Sequence, residues 1–135
     1  MKLLQKTKEE VFINYIIEGI KEKKGKEIIS IDLSKLENAV CRHFIICHGD
    51  SNTQVNAIAN WVEKVIEDKG NEKVWRKQGF ENAHWILLDY VNVVVHIFQK
   101  EFREFYNLEA LWGDGYFCKI ENEYLNQKEL AYNER

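Results

Sequence analysis

Cys41, His43, Cys47 and His48 fall within eight residues and carry side chains that hold transition metals or pair a thiolate with a base. Their spacing does not match the paired C-x-x-C knuckles of structural zinc. If His43 to Cys47 is a strand, His43 and Cys47 share a face but stand about 13 Å apart. His48 then points the other way. No third group is placed to orient a Cys–His pair. Buried thiols with surface or capped histidines fit this spacing better, so no metal ligand, cofactor or catalytic residue is assigned. Gly49-Asp50-Ser51-Asn52 follows a strand pattern and opens a helix pattern, where backbone N–H groups can cradle a phosphate. The stretch lacks the G-x-x-x-x-G-K of phosphate-binding loops and has no second glycine. Asp50 would also place a carboxylate where the anion should sit. A tight turn with a helix N-cap explains the same residues. Asp32 and Asp89 lie near strand ends, but nucleotidyl transfer wants clustered carboxylates around Mg²⁺, and no D-x-D pair is present.

A second set of residues points to recognition instead of reaction. Trp85 to Tyr90 and Val93 to Phe98 are strong strand patterns with only Val91 and Asn92 between them, which predicts a hairpin. A two-residue turn sets Tyr90 against Val93, Leu88 against Val95 and Ile86 against Ile97. It sets Asp89 against Val94, Leu87 against His96 and Trp85 against Phe98. Opposed residues share a face. Asn tolerates positive φ and Val does not, which leaves room for a longer loop. One face is then Ile, Leu, Tyr, Val, Val, Ile, and reads as core. The other is Trp, Leu, Asp, Val, His, Phe. A buried core seldom keeps an Asp and a His without a reason. A protein-binding patch combines a Trp anchor, further apolar groups and a few charges. The candidate partner-binding residues are therefore Trp85, Leu87 and Phe98 as anchors, with Val94 between them. Asp89 and His96 would meet polar or basic groups, and Tyr90 and Asn92 would stand at the rim. The competing reading covers this face with a helix and lets Asp89 and His96 satisfy each other.

These groups need elements to hold them. Thr7 with Glu10 forms a capping-box pattern, and Phe12, Ile13, Ile16, Ile17 and Ile20 follow as one apolar stripe, ending near Gly25. Ile28 to Leu33 reads as a strand, Leu36 to Arg42 as a connection, and His43 to Cys47 as a more buried strand. Ser51 with Gln54 opens a second helix carrying Val55, Ile58, Ala59, Val62, Val65 and Ile66, which Gly70 closes. Glu72 to Gln78 is a polar strand nearer a sheet edge. A third helix runs from about Gln99 to Leu111, with Phe102, Phe105, Tyr106 and Leu108 as apolar positions. The pattern predicts a single α/β domain over residues 1–112, with one mixed sheet of about five strands and about three helices. Residues 113–135 read as a partly ordered C-terminal tail. The chain has 135 residues, 45% hydrophobic and 30% charged, and a net charge of −3, which argues against a nucleic-acid backbone as the main partner. No apolar run suits a membrane span. Three cysteines without paired spacing suggest reduced thiols and a cytosolic, cytoplasmic setting.

His43-Phe44-Ile45-Ile46-Cys47-His48-Gly49-Asp50-Ser51-Asn52-Thr53-Gln54-Val55-Asn56-Ala57-Ile58-Ala59 resembles the strand–turn–helix of the Iojap-related ribosomal silencing factors. Trp85 to Tyr90 with Val93 to Phe98 resembles that family's hairpin, and Glu101 to Trp112 its closing helix. The match runs from about Val11 to Trp112 in the family's order. Asp50 stands where the family usually has Thr, Thr53 where it often has Arg, and Val91-Asn92 where its turn is typically Gly-Asp. Gln78-Gly79 stands where its polar strand often ends Glu-Gly. The resemblance implies a domain akin to nucleotidyltransferase folds without their catalytic carboxylates. It implies a non-enzymatic factor that binds the large ribosomal subunit through protein L-fourteen, sterically blocks joining of the small subunit and so represses translation. It also implies a homodimer off the ribosome. The alternative is a nucleotide-binding or nucleotidyltransferase-type enzyme using the Gly49–Asn52 turn.

Overall fold

The computed structural model describes residues 7–120. Helix α1 (Lys8–Glu22) starts where the Thr7 hydroxyl accepts the Glu10 N–H at 3.1 Å, and it buries Ile13, Ile16, Ile17 and Ile20. Strands β1 (Lys26–Asp32) and β2 (His43–Gly49) follow. Helix α2 (Asn52–Val65) is capped by Ser51, and a wide π-type turn, Ile66–Gly70, extends it. Asn71, not Gly70, takes the left-handed conformation that ends this run, with φ 58°. The short β3 (Arg76–Gln78), then β4 (Trp85–Asp89) and β5 (Val93–Gln99), lead to α3 (Lys100–Tyr106), α4 (Leu108–Leu111) and β6 (Tyr116–Ile120). Among the described residues no helix is long and apolar enough to cross a membrane.

The six strands form one sheet in the order β3-β4-β5-β2-β1-β6. β2 and β5 pair in parallel, and the other neighbours are antiparallel. The near-continuous apolar runs of β2 and β5 put these strands at the centre, buried on both faces. On one face α1 and α2 pack over Ile45, Cys47, Ile86, Leu88, Val95 and Ile97. On the other, Leu108 of α4 and Leu33 of the β1–β2 connection lie over Ile31, Phe44, Ile46, Val94 and Phe98. α2 carries the chain from β2 across β5 and β4 to β3 at the polar edge.

Toward the C-terminal end of the described residues, the elements depart from the sequence reading in two places. The sheet has a sixth strand, because Tyr116–Ile120 pairs antiparallel with β1, so the domain does not stop at residue 112. β6 is an edge strand with nearly all its side chains exposed, so its sequence carries no alternation to read. The chain reaches β1 through Gly115, where a Cβ would stand 2.5 Å from Ile31 Cγ2. The remainder of the expected tail, 121–135, lies outside the described residues. The third helix is also divided. Asn107 adopts φ 46° and ψ 54°, and its N–H donates to the Arg103 carbonyl at 2.9 Å, ending α3. Asn pays less than most residues for that conformation.

The hairpin turn is tight. The Tyr90 N–H donates to the Val93 carbonyl at 2.9 Å, and the Asn92 N–H donates to the Tyr90 carbonyl at 3.0 Å. Val91 sits at φ 75° with its side chain exposed. A β-branched residue there is strained by about 1–2 kcal/mol. Val91→Gly removes that strain at some cost in unfolded-state entropy, so it raises stability by about 0.5–1 kcal/mol in urea unfolding. A lowered urea midpoint would contradict the strained turn.

Candidate functional site

The hairpin register sets Trp85 against Phe98, Leu87 against His96 and Asp89 against Val94, so the six side chains share the outer sheet face. Their exposure differs. Trp85 and Leu87 are half-buried, whereas Val94, His96 and Phe98 are buried, Phe98 completely. The cause is the turn from α3 into α4, which sets Leu108 in the same cluster as Phe98 and brings Tyr106 within 6.4 Å of the Phe98 ring. Phe98 is thus not a surface anchor as the sequence suggested. It is the floor on which Trp85 lies, with ring centroids 4.9 Å apart and planes 26° apart. Tyr106 packs against the indole at 4.9 Å. Phe44 sets its ring edge-to-face with His96 at 4.4 Å, and Trp112 does the same with Phe44 at 5.8 Å.

The polar groups of this face serve the hairpin itself. Asp89 and His96 do not satisfy each other. The Asp89 Oδ1 accepts the Val91 N–H at 2.8 Å, and its Oδ2 lies 3.5 Å from Arg76 Nη2. The indole N–H of Trp85 donates to His96 Nδ1 at 3.1 Å. That bond needs an unprotonated Nδ1, and burial holds the imidazole neutral by pushing its pKa down to about 3. Tyr90 was expected at the rim, but the side-chain alternation turns it to the inner face, where Phe12 meets its ring edge-on at 5.2 Å. Burial among carboxylates there pushes its phenol pKa up. Asn92 is exposed at the turn, and its carbonyl accepts the N–H groups of Arg42 and His43.

On α3 and α4, three apolar side chains escaped the sequence reading as surface groups. Phe105 is 79% exposed, Leu111 74% and Tyr106 49%. Phe105 and Tyr106 looked like core positions of one long helix. The available signal was the crowding of Phe102, Phe105 and Tyr106 into one short helix, more aromatic bulk than a single face can bury. Phe105 rests edge-on against Tyr106 at 5.1 Å, so the aromatic surface runs from Trp85 through Tyr106 to Phe105.

The residues that suggested reaction chemistry face separate partners. His43 Nδ1 lies 2.8 Å from Glu9, and the Cys41 thiol donates to the His43 carbonyl. Cys47 is fully buried, and burial pushes its thiol pKa to about 12 and that of Cys41 to about 11, away from thiolate. His48 Nδ1 accepts from Arg103 Nη1 at 2.9 Å, and Arg103 Nε donates to Glu109 at 3.0 Å. This buried guanidinium ties α3 and α4 to the end of β2. Burial and then the Arg103 charge lower the His48 pKa. Asp32 holds the N–H and hydroxyl of Ser34. Among the described residues, no three or more His, Cys, Asp or Glu converge as metal ligands. In the Gly49–Asn52 turn, the Asp50 N–H donates to Gln54 Oε1 at 2.8 Å, and the Asp50 carboxylate pairs with Lys26 at 2.6 Å. The Gln54 amide also bonds the carbonyls of Lys23 and Lys24, tying the turn to the end of α1.

Fold and face together define a small mixed-sheet α/β domain with an aromatic surface on its outer layer. Residues 5–135 match the family described as ribosomal silencing factor during starvation. Ribosomal silencing factor RsfS of Halalkalibacterium halodurans is 38% identical over 105 residues, covering 78% of this chain and 88% of the relative. The Bacillus subtilis protein of the same name is 41% identical over 93 residues, covering 69% and 77%. The chloroplastic Iojap protein of Zea mays is 42% identical over 73 residues, which span 54% of this chain and 31% of that protein. A crystal structure of a Chromobacterium violaceum protein superposes with a TM-score of 0.72 at 38% identity, covering 76% of this chain and 84% of that one. The chain belongs to the Iojap-related ribosomal silencing factor family.

His96 binds a proton near its ordinary pKa of 6.5 when unfolded but only near 3 when folded. The unfolded state therefore holds more protons between those values, and stability falls as pH drops below about 6.5. At pH 5 the loss from His96 alone is about 2 kcal/mol. Urea unfolding at pH 7.5 and pH 5 measures it, and His96→Asn flattens the difference. An unchanged midpoint in the wild-type protein would mean a solvated imidazole.

Proposed function

We propose that this protein binds the large ribosomal subunit through the outer hairpin face and blocks joining of the small subunit. The mechanism is steric exclusion, with no bond made or broken. The observation that carries the reading is the half-buried Trp85–Leu87 surface, bordered by Tyr106 of α3 and extended by Tyr106 and Phe105. Monomeric proteins rarely expose large contiguous apolar patches, and such patches mark interaction sites. Trp and Tyr supply large, stiff contact area and dominate interface energetics. The relatives' name, ribosomal silencing factor, supports a ribosomal partner.

The partner on the subunit is protein L-fourteen. Trp85 and Leu87 anchor the contact, Tyr106 widens it, and Asn92 stands at its edge. Phe98, Val94, His96 and Asp89 act from beneath, by holding the hairpin and the indole in place. Tyr90 belongs to the inner core. The protein works in the cytoplasm with the ribosomes it silences, and a homodimer is its free form.

Purified protein is mixed with separated ribosomal subunits and run on sucrose gradients. The wild-type chain sediments with the large subunit and reduces reassociation. Trp85→Ala folds but loses at least ~2 kcal/mol of binding, roughly thirty-fold in affinity. Undiminished cosedimentation of that variant would move the interface to another face, and free reassociation in the presence of bound wild-type protein would refute steric exclusion.

A further inference from the structure

We infer that His96 is a positioning residue for the binding face, with Nδ1 accepting the indole N–H of Trp85 and fixing the ring that meets the partner. The inference rests on the reading of that face given above. Three contacts define the indole's place: the 3.1 Å hydrogen bond to His96, the stack on Phe98 at 4.9 Å and the packing of Tyr106 at 4.9 Å. The two ring contacts hold the indole plane. The hydrogen bond selects which edge of that plane, and so which χ2 rotamer, turns toward His96.

His96 is too deeply buried to meet a partner itself, being 3% exposed. Accepting at Nδ1 leaves the proton of a neutral ring on Nε2. That Nε2 is buried and has no hydrogen-bond partner among the described residues. A buried unsatisfied N–H destabilises a fold. A leucine at 96 would fill the space beside Phe44 and Phe98 without that penalty. What it could not do is accept the indole N–H. The imidazole is thus costly to the fold, and what it adds over an apolar side chain of similar size is the acceptor for Trp85. A preordered side chain loses less rotamer freedom when the partner arrives, which strengthens binding.

The test uses the full chain, ¹⁵N-labelled, with the Trp85 indole resonance assigned through Trp85→Phe. The indole proton exchanges slowly in the wild-type protein, quickly in His96→Leu, and slowly again in His96→Asn, whose amide oxygen stands in for Nδ1. In subunit cosedimentation His96→Leu weakens binding roughly three- to tenfold, although its thermal midpoint equals or exceeds that of the wild type. His96→Asn restores binding, and His96→Leu has no further effect in the Trp85→Phe background. A protected indole in His96→Leu overturns the inference. So does a binding loss that adds in full to that of Trp85→Phe, or one that merely tracks a fall in stability. If the indole behaves as stated while Trp85→Ala and His96→Leu both bind subunits as the wild type does, the binding face itself is wrong. The positioning role then falls with it, and only the hydrogen bond stands.

Discussion

The two central strands must be covered on both sides. β2 carries the apolar run from Phe44 to Cys47 and β5 the run from Val93 to Phe98 broken only by His96, and almost every position of both is buried, so neither face of their parallel pair is left to water. The inner face receives two long helices, α1 and α2, and is sealed. Among the described residues, the outer face receives the two short helices α3 and α4 and the β1–β2 connection. That cover closes over Phe44, Ile46 and Phe98 and leaves Trp85, flanked by Tyr106, and Leu87 half-buried. Among the described residues, the aromatic surface lies at the margin of this smaller outer layer.

This imbalance explains the placing of the buried charge. Arg103 is the residue through which the small outer layer grips the sheet, touching His48, the Lys26 carbonyl and Glu109. A guanidinium with its donors in a fixed fork suits this better than a lysine ammonium. The Asn107 break serves the same purpose, since it turns α4 so that Leu108 reaches the Phe98 cluster. Each device compensates for a layer with little apolar area of its own.

The hairpin was legible because its signal is local. Side chains alternate with a period of two, and a two-residue turn leaves one register, so the pairing of Trp85 with Phe98 and of Leu87 with His96 followed from the residues. Which side of that hairpin would be exposed was not legible in the same way. Alternation assigns Phe98 to the outer face but says nothing of Leu108, ten residues later, folding over it. The break at Asn107 was hidden because Asn is tolerated within a helix pattern. The sixth strand was hidden because an exposed edge needs only backbone pairing, and backbone groups leave no mark on hydropathy. The Asp89–His96 pairing failed for a geometric reason. The carboxylate was nearer the Val91 amide and the imidazole nearer the indole.

The parallel pairing of β2 with β5 also governs how the chain acquires its shape. His43 meets Val93, fifty positions further on, through a ladder that continues to Gly49 and Gln99. Loop-closure entropy opposes such a distant pairing until other contacts reward it, which makes topologies of this kind slower to form than local hairpins. On the ribosome that makes it, the nascent chain exposes the oily flank of β2 until β5 has emerged. α1 and α2 emerge before β5 does, and they are the elements able to shelter that strand during synthesis.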